Sequence, residues 1–232
     1  MESRCLSKLT KKKYFMITIL VVLEKTEKLL WYEYYHVFHG YISELLGDNN
    51  YGTELNNYVY SNICGGRCEN DGFSFPDNPY FYIRTSCDGV WRNFLNNISK
   101  KKQIFEGFRV LGFNIIETST SKKYYETDAS TPILVSKKYN LFDNLSSEEI
   151  IESEKYLLNN VIKRANKAGF NIDPNLSIKI ILQRKHRDIK YRGITNKGRN
   201  IRLKIECNEP TKEFILTHGL GRSTSCGFGF LI

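Results

Sequence analysis

Three segments between residues 32 and 169 repeat apolar side chains at helical spacing, and β-branched or alternating segments stand around them. That arrangement restricts the chain to mixed helix–sheet packing. In residues 32–50, side chains set about 100° apart bring Tyr35, Phe38, Ile42, Leu45 and Leu46 into one sector of roughly 100°. Gly47, followed by Asp48, Asn49 and Asn50, ends that helix. Residues 88–101 carry apolar side chains at 90, 91, 94, 95 and 98, with Asp88 expected as N-cap. Residues 146–169 form the clearest helix, with a serine cap, acids in the first turns, Lys and Arg late, and Gly169 after.

Strands are predicted in KKKYFMITILVVLEK (11–25), 79–87 and 107–118, whereas 51–80 reads as irregular or short elements. TPILVSKK (131–138) is predicted to open a second half. LSIKIILQRKHR (176–187), DIKYRGITN (188–196), NIRLKIECN (200–208) and KEFILTHGLG (212–221) follow as short strands. The polar stretch 119–131 has no apolar period and reads as a link. The expectation is an α+β chain of two ferredoxin-like β-α-β-β-α-β halves, 1–122 and 123–232.

With 41% hydrophobic and 13% aromatic residues the chain can bury a core, which excludes a disordered tail. Its net charge of +9 points to a polyanion or an acidic surface as partner. Six cysteines, at 5, 64, 68, 87, 207 and 226, are too sparse to staple a secreted scaffold, so a reducing, cytoplasmic setting is expected. Cys64 and Cys68 stand in a C-x3-C spacing with no nearby His, a poor zinc set, and neither metal nor cofactor is expected. The N-terminal lysines and apolar run imitate a signal peptide. The run is short, lacks a small-residue cleavage site and meets Glu24 and Lys25, so it reads as a strand and no membrane partner is expected.

Residues 183–204 hold nine Lys/Arg and one acid, and the basic side chains Arg184, Lys185, Arg187, Lys190, Arg192, Lys197 and Arg199 alternate with Tyr and Gly. On strands, alternate residues line one face, which suits a row of phosphates, with His186 as a binding residue and Tyr191 for base stacking. The lysines of 11–13 and 99–103 read as solvated. His36 and His39, two of four histidines, are neighbours on the first helix. Tyr32, His36, His39 and Ser43 share a sector of about 60° beside the apolar stripe, a pattern suited to paired acid–base chemistry.

The chain ends with two glycine pairs, Gly219-Leu220-Gly221 and Gly227-Phe228-Gly229, five residues apart. Glycine permits positive φ and close backbone approach. Converging amides, Arg222, Ser223, Thr224 and Ser225 would form a donor surface for an anion. This G-φ-G-x5-G-φ-G ending, with φ an apolar residue, resembles the glycine-rich loop of the CRISPR-associated RAMP proteins. With HGYI (39–42), STPILVSKK (130–138) and GFGFL (227–231) in the same order, the whole chain is similar to their repeat-RNA endoribonuclease branch, and the terminal motif is the specific one.

The resemblance implies tandem ferredoxin-like halves with the loop packed between them and holding RNA. It also implies metal-free cleavage of CRISPR repeat RNA (pre-crRNA), by 2′-OH attack that leaves a 2′,3′-cyclic phosphate and a 5′-OH. Other CRISPR effector subunits are implied as partners of a monomer or homodimer. His36, His39, Ser43 and Tyr32 are the candidate catalytic residues; Gly219, Gly221, Arg222, Ser223, Gly227 and Gly229 join the basic strands as candidate RNA contacts.

The chain departs from the pattern at two places. Many members carry a catalytic histidine after the first helix, but TELNNYVYSN (53–62) has neither His nor Lys. A tyrosine often found one turn past the helix glycine is Ser43 here. Lys25, Lys28 and Arg67 are the nearest cations for a phosphate. These departures leave a second reading, a non-catalytic RAMP scaffold that binds guide RNA. A general RRM-like binder is disfavoured by the lack of closely spaced RNP1 aromatics.

Overall fold

Ile17, Thr18, Ile19, Val21 and Val22 favour extended backbone, and they form the central strand β1 (Ile17–Leu23). The computed structural model describes residues 16–47, 57–117, 124–128, 131–134, 146–191, 194–224 and 227–232, with backbone alone at 117, 124–128, 183–191 and 197. After β1 come β2 (Leu30–Trp31), α1 (Tyr35–Leu46), β3 (Tyr58–Tyr60), β4 (Arg67–Cys68), β5 (Gly72–Ser74), β6 (Tyr80–Thr85), α2 (Asp88–Ile98), β7 (Gln103–Phe105) and β8 (Phe108–Glu117). The second half adds β9 (Tyr124–Asp128), α3 (Ser147–Lys167), β10 (Ser177–Tyr191), β11 (Ile194–Glu206) and α4 (Glu209–His218).

The first sheet runs β3-β6-β1-β8-β7. Its first four strands have the order and antiparallel pairing of a ferredoxin-like half, with α1 and α2 as the two crossovers. Ile19 and Val21 sit opposite Ile83 and Phe81 on β6 and opposite Ile115 and Phe113 on β8. Phe38 of α1 closes on Phe81 edge to face at 5.0 Å. β2, β5 and β4 form a separate small sheet. The second half pairs β10-β11-β9, the order of the first three strands of the same fold, with α3 and α4 as its helices. The architecture is the expected α+β tandem of ferredoxin-like folds.

Several elements differ from their sequence-based prediction. KEFILTHGLG is not a strand: 209–218 is helix α4, capped by Asn208, whose side chain accepts from Thr211 N, with a Pro in the first turn. DIKYRGITN is not a separate strand either, because β10 continues through it to Tyr191 and returns as β11. TPILVSKK contributes one isolated bridge, Ile133 to Arg199, and 135–138 lie outside the described residues. The strand that pairs with the other edge of β11 is β9, within the stretch read as a link. Asp88 is the first residue of α2 rather than its cap; Cys87 holds the extended cap position, and Asp88 pairs with Arg92 one turn on. The expected serine cap of α3 forms a full capping box between Ser146 and Glu149. The division at 122/123 falls outside the described residues, as do 11–13.

Two apolar clusters lie on either side of the C-terminal segment, which feeds both: Phe228 packs in the first, Leu220 and Leu231 in the second. Arg84 of β6, 4% exposed, joins them. Its Nε donates to Thr18 Oγ1 at 3.0 Å, and its Nη1 to the Leu231 carbonyl at 2.9 Å and the Leu216 carbonyl at 3.4 Å. Its guanidinium also lies 4.6 Å from the Phe230 ring centre.

Within this segment Gly229 has φ +68°, and a Cβ there would stand 1.9 Å from the Leu220 carbonyl oxygen. Gly229→Ala should therefore cost about 3 kcal/mol or more in urea unfolding. Gly112→Ala, at a site with no atom within 4 Å, should change stability by less than about 1 kcal/mol.

Candidate active site where the terminal loop meets the first helix

The packing of α1 separates the two histidines. His36, in the first turn, is exposed, with Nδ1 3.0 Å from the Glu33 carbonyl oxygen. His39, one turn later, is 8% exposed. Its Nδ1 lies 3.0 Å from the Tyr60 hydroxyl, and the two rings stack at 16°. Ser43, a further turn on, is 7% exposed. The sector expected to adjoin the core is thus half inside it, because Tyr60 of β3 comes up against that side of the helix. Tyr32 precedes α1; its hydroxyl donates to the Glu69 carbonyl, and its ring meets Phe73 edge-on at 4.9 Å. It is held on the small sheet rather than on the helix.

Tyr60, the functional candidate that the sequence reading missed, is 1% exposed and meets Phe38 edge to face at 5.7 Å. A further neighbour is the terminal loop. A Cβ on Gly227, whose φ is +81°, would lie 2.8 Å from Tyr60 Cε2 and 3.4 Å from its Oη. The loop backbone therefore rests on the phenol that bonds His39.

The glycines serve close packing more than anion binding. The amides of Leu220, Arg222, Gly227 and Gly229 donate to the carbonyls of Gly229, Leu134, Thr224 and Pro132, so those four are not a nest for an anion. Gly221 passes so near Leu134 that a Cβ would lie 2.7 Å from its carbonyl oxygen, and Gly219 packs against Val59. Thr224 is buried, Arg222 half-buried, and Ser223 exposed with φ 55°; Ser225 lies outside the described residues. The loop is anchored by Arg164 of α3, which donates to the carbonyls of His218 at 2.9 Å and Gly219 at 2.7 Å. Burial pulls that guanidinium down to about 10.

β10 and β11 form one long hairpin, in which His186 pairs with Arg199, Arg187 with Gly198, and Asp188 with Lys197. β10 also runs against α1, which brings the basic hairpin and the histidine helix together. The side chains of Arg184, Lys185, His186, Arg187, Lys190, Tyr191 and Lys197, and the whole of Arg192, lie outside the described residues. Arg199 departs from the expected open face: it is 3% exposed, covered where its backbone bridges Ile133. Of the candidate cations, Lys25 and Arg67 are exposed. Lys28 is paired with Glu106, and its hydrogen bond and charge lower that carboxyl's pKa.

Among the described residues, no three His, Cys, Asp or Glu side chains gather as a metal site, and no helix is long and apolar enough to cross a membrane.

Residues 116–232, half of the chain, match the family model described as CRISPR associated protein Cas6, C-terminal. The chain belongs to the Cas6 family. No curated protein matches its sequence. Solved structures share its fold across nearly the whole chain. The product of a Cas6-related gene from Pyrococcus furiosus is 17% identical, with TM-score 0.76, covering 94% of this chain and 97% of its own. A RAMP protein described as binding different RNA substrates is 16% identical, with TM-score 0.76 and coverage of 94% and 98%. A Cas6 product complex is 10% identical, with TM-score 0.61 and coverage of 94% and 99%.

The burial of the two histidines has a direct test. His39→Ala leaves a buried phenol without this partner and should cost about 1–3 kcal/mol in thermal or urea unfolding. His36→Ala, at the exposed site, should change stability by less than about 0.5 kcal/mol.

Proposed function

We propose that this Cas6-family protein is a metal-independent endoribonuclease that matures CRISPR repeat transcripts. The observation that carries the reading is the contact chain His39–Tyr60–Gly227, in which the family's terminal loop touches the histidine helix through one side chain. The basic β10–β11 hairpin beside α1 and the net charge of +9 support an RNA strand as substrate. Two of the folds most like this one belong to a Cas6 product complex and to a RAMP protein that binds RNA.

In this reading a base removes the proton of a ribose 2′-OH, and the 2′-oxygen attacks the adjacent phosphorus. The P–O5′ bond breaks, and an acid protonates the departing 5′-oxygen. A 2′,3′-cyclic phosphate and a 5′-OH result. The chemistry asks the protein for two proton-transfer groups and for positive charge near the phosphate. His36 and His39, one turn apart, are the proposed proton carriers, with the Ser43 hydroxyl one turn beyond His39 and Tyr32 set apart on the small sheet. Arg222 and Ser223 on the loop, with Arg184, Lys185, His186, Arg187, Lys190, Arg192 and Lys197 on the hairpin, are the proposed RNA contacts. Arg199 and the four glycines shape that surface from beneath it.

Repeat RNA incubated with the purified protein in EDTA should be cut at one position. His39→Ala or His36→Ala should lower the single-turnover rate by about a hundredfold or more. RNA that is bound and never cut would instead support the scaffold reading. Arg187→Ala and Lys190→Ala should each weaken binding across all RNA sequences and reduce the slope of log K against log salt by about 0.7.

A further inference from the structure

We infer that Tyr60 is a positioning residue for His39, and that the terminal glycine loop acts on the site by bracing Tyr60 at Gly227. The inference rests on the ribonuclease reading and deepens it, assigning the loop a part in holding the imidazole besides any contact with RNA.

A neutral imidazole carries its proton on either ring nitrogen, and the partner of one nitrogen decides what the other offers. At His39 the Tyr60 hydroxyl engages Nδ1 at 3.0 Å, and proton transfer with RNA is assigned to Nε2. With Nε2 exchanging the proton, Nδ1 keeps its hydrogen, and the Tyr60 hydroxyl accepts it both before and after the transfer. The near-parallel Tyr60 ring sets the plane of the imidazole.

The phenol is itself held on several sides. Phe38 of α1 meets its ring edge to face at 5.7 Å, and Tyr58 lies 6.4 Å away on the same strand. Tyr60 is also backbone-paired with Ile83 in the first sheet. Gly227 covers a further side, where the smallest side chain would press on Cε2 at 2.8 Å. Gly227 is tied in turn to Thr224, and Gly229 after it to Pro132 and Leu220. A shift of the loop therefore reaches His39 through one rigid ring.

Tyr60→Phe keeps the ring and removes only the hydroxyl. In RNA-free protein, with the ring nitrogens labelled with ¹⁵N and His39 assigned through His39→Gln, the wild type should show one dominant His39 tautomer. Tyr60→Phe should move its two shifts toward the mixed pattern of a free imidazole. In cleavage assays Tyr60→Phe should lower kcat roughly tenfold or more, with KM within about twofold of wild type. Gly227→Ala, checked for retained melting temperature, should shift the same two resonances. Unchanged His39 shifts in Tyr60→Phe would overturn the inference whether or not the protein cuts RNA. So would a wild-type kcat in that variant beside an inactive His39→Ala. Failure of the wild type to cut RNA would count against the ribonuclease reading alone.

Discussion

At Gly229 the chain passes so near Leu220 that an added Cβ would overlap a carbonyl, and Leu220 N donates back to the Gly229 carbonyl at 2.9 Å. That approach, available only to glycine, holds the two arms of the terminal loop together. Everything beside the loop takes its position from this contact. Phe228 is sent into the first core and Leu231 into the second. The Leu231 carbonyl is presented to Arg84, and Gly227 is laid on Tyr60.

Two buried guanidinium groups complete the joint. Arg84 comes from the first sheet and Arg164 from α3, and between them they bond the carbonyls of Leu216, His218 and Gly219 at the end of α4. Carbonyls at a helix C-terminus lack intrahelical donors in general, and the helix dipole makes the position favourable for cations. A buried arginine without such acceptors would be strongly destabilising. Here each guanidinium donates to backbone carbonyls at or beside the loop, so the charge burial and the loop conformation support one another. The candidate site is tied to this arrangement through β3, whose Val59 meets Gly219 and whose Tyr60 meets Gly227.

Much of this architecture was legible in the sequence because α1, α2 and α3 each bury one face and leave the other wet, which writes a helical period into the residues. α4 was misread for the opposite reason. Phe214, Ile215 and Leu216 are consecutive and all buried, so no period appears, and only Asn208 and Pro210 marked a helix start. The polar stretch that forms β9 gave no apolar alternation, and TPILV looked like a strand although, among its described residues, only Ile133 bridges. At the site, the histidine pair was visible from spacing alone. Its division into exposed His36 and buried His39 was not, because the cause is Tyr60, a partner 21 positions away. The glycines were legible as special positions, but their use in backbone packing depends on Pro132, Leu134 and Tyr60, which only the folded chain brings near.

The chemistry of the cut ends tests the account most directly. Mass spectrometry of the fragments released from the host's own repeat RNA should show a 2′,3′-cyclic phosphate on the upstream piece and a 5′-OH on the downstream piece. A 5′-phosphate on the downstream piece would mean attack by water and departure of the 3′-oxygen. It would contradict a site in which paired imidazoles direct a ribose hydroxyl onto its neighbouring phosphorus.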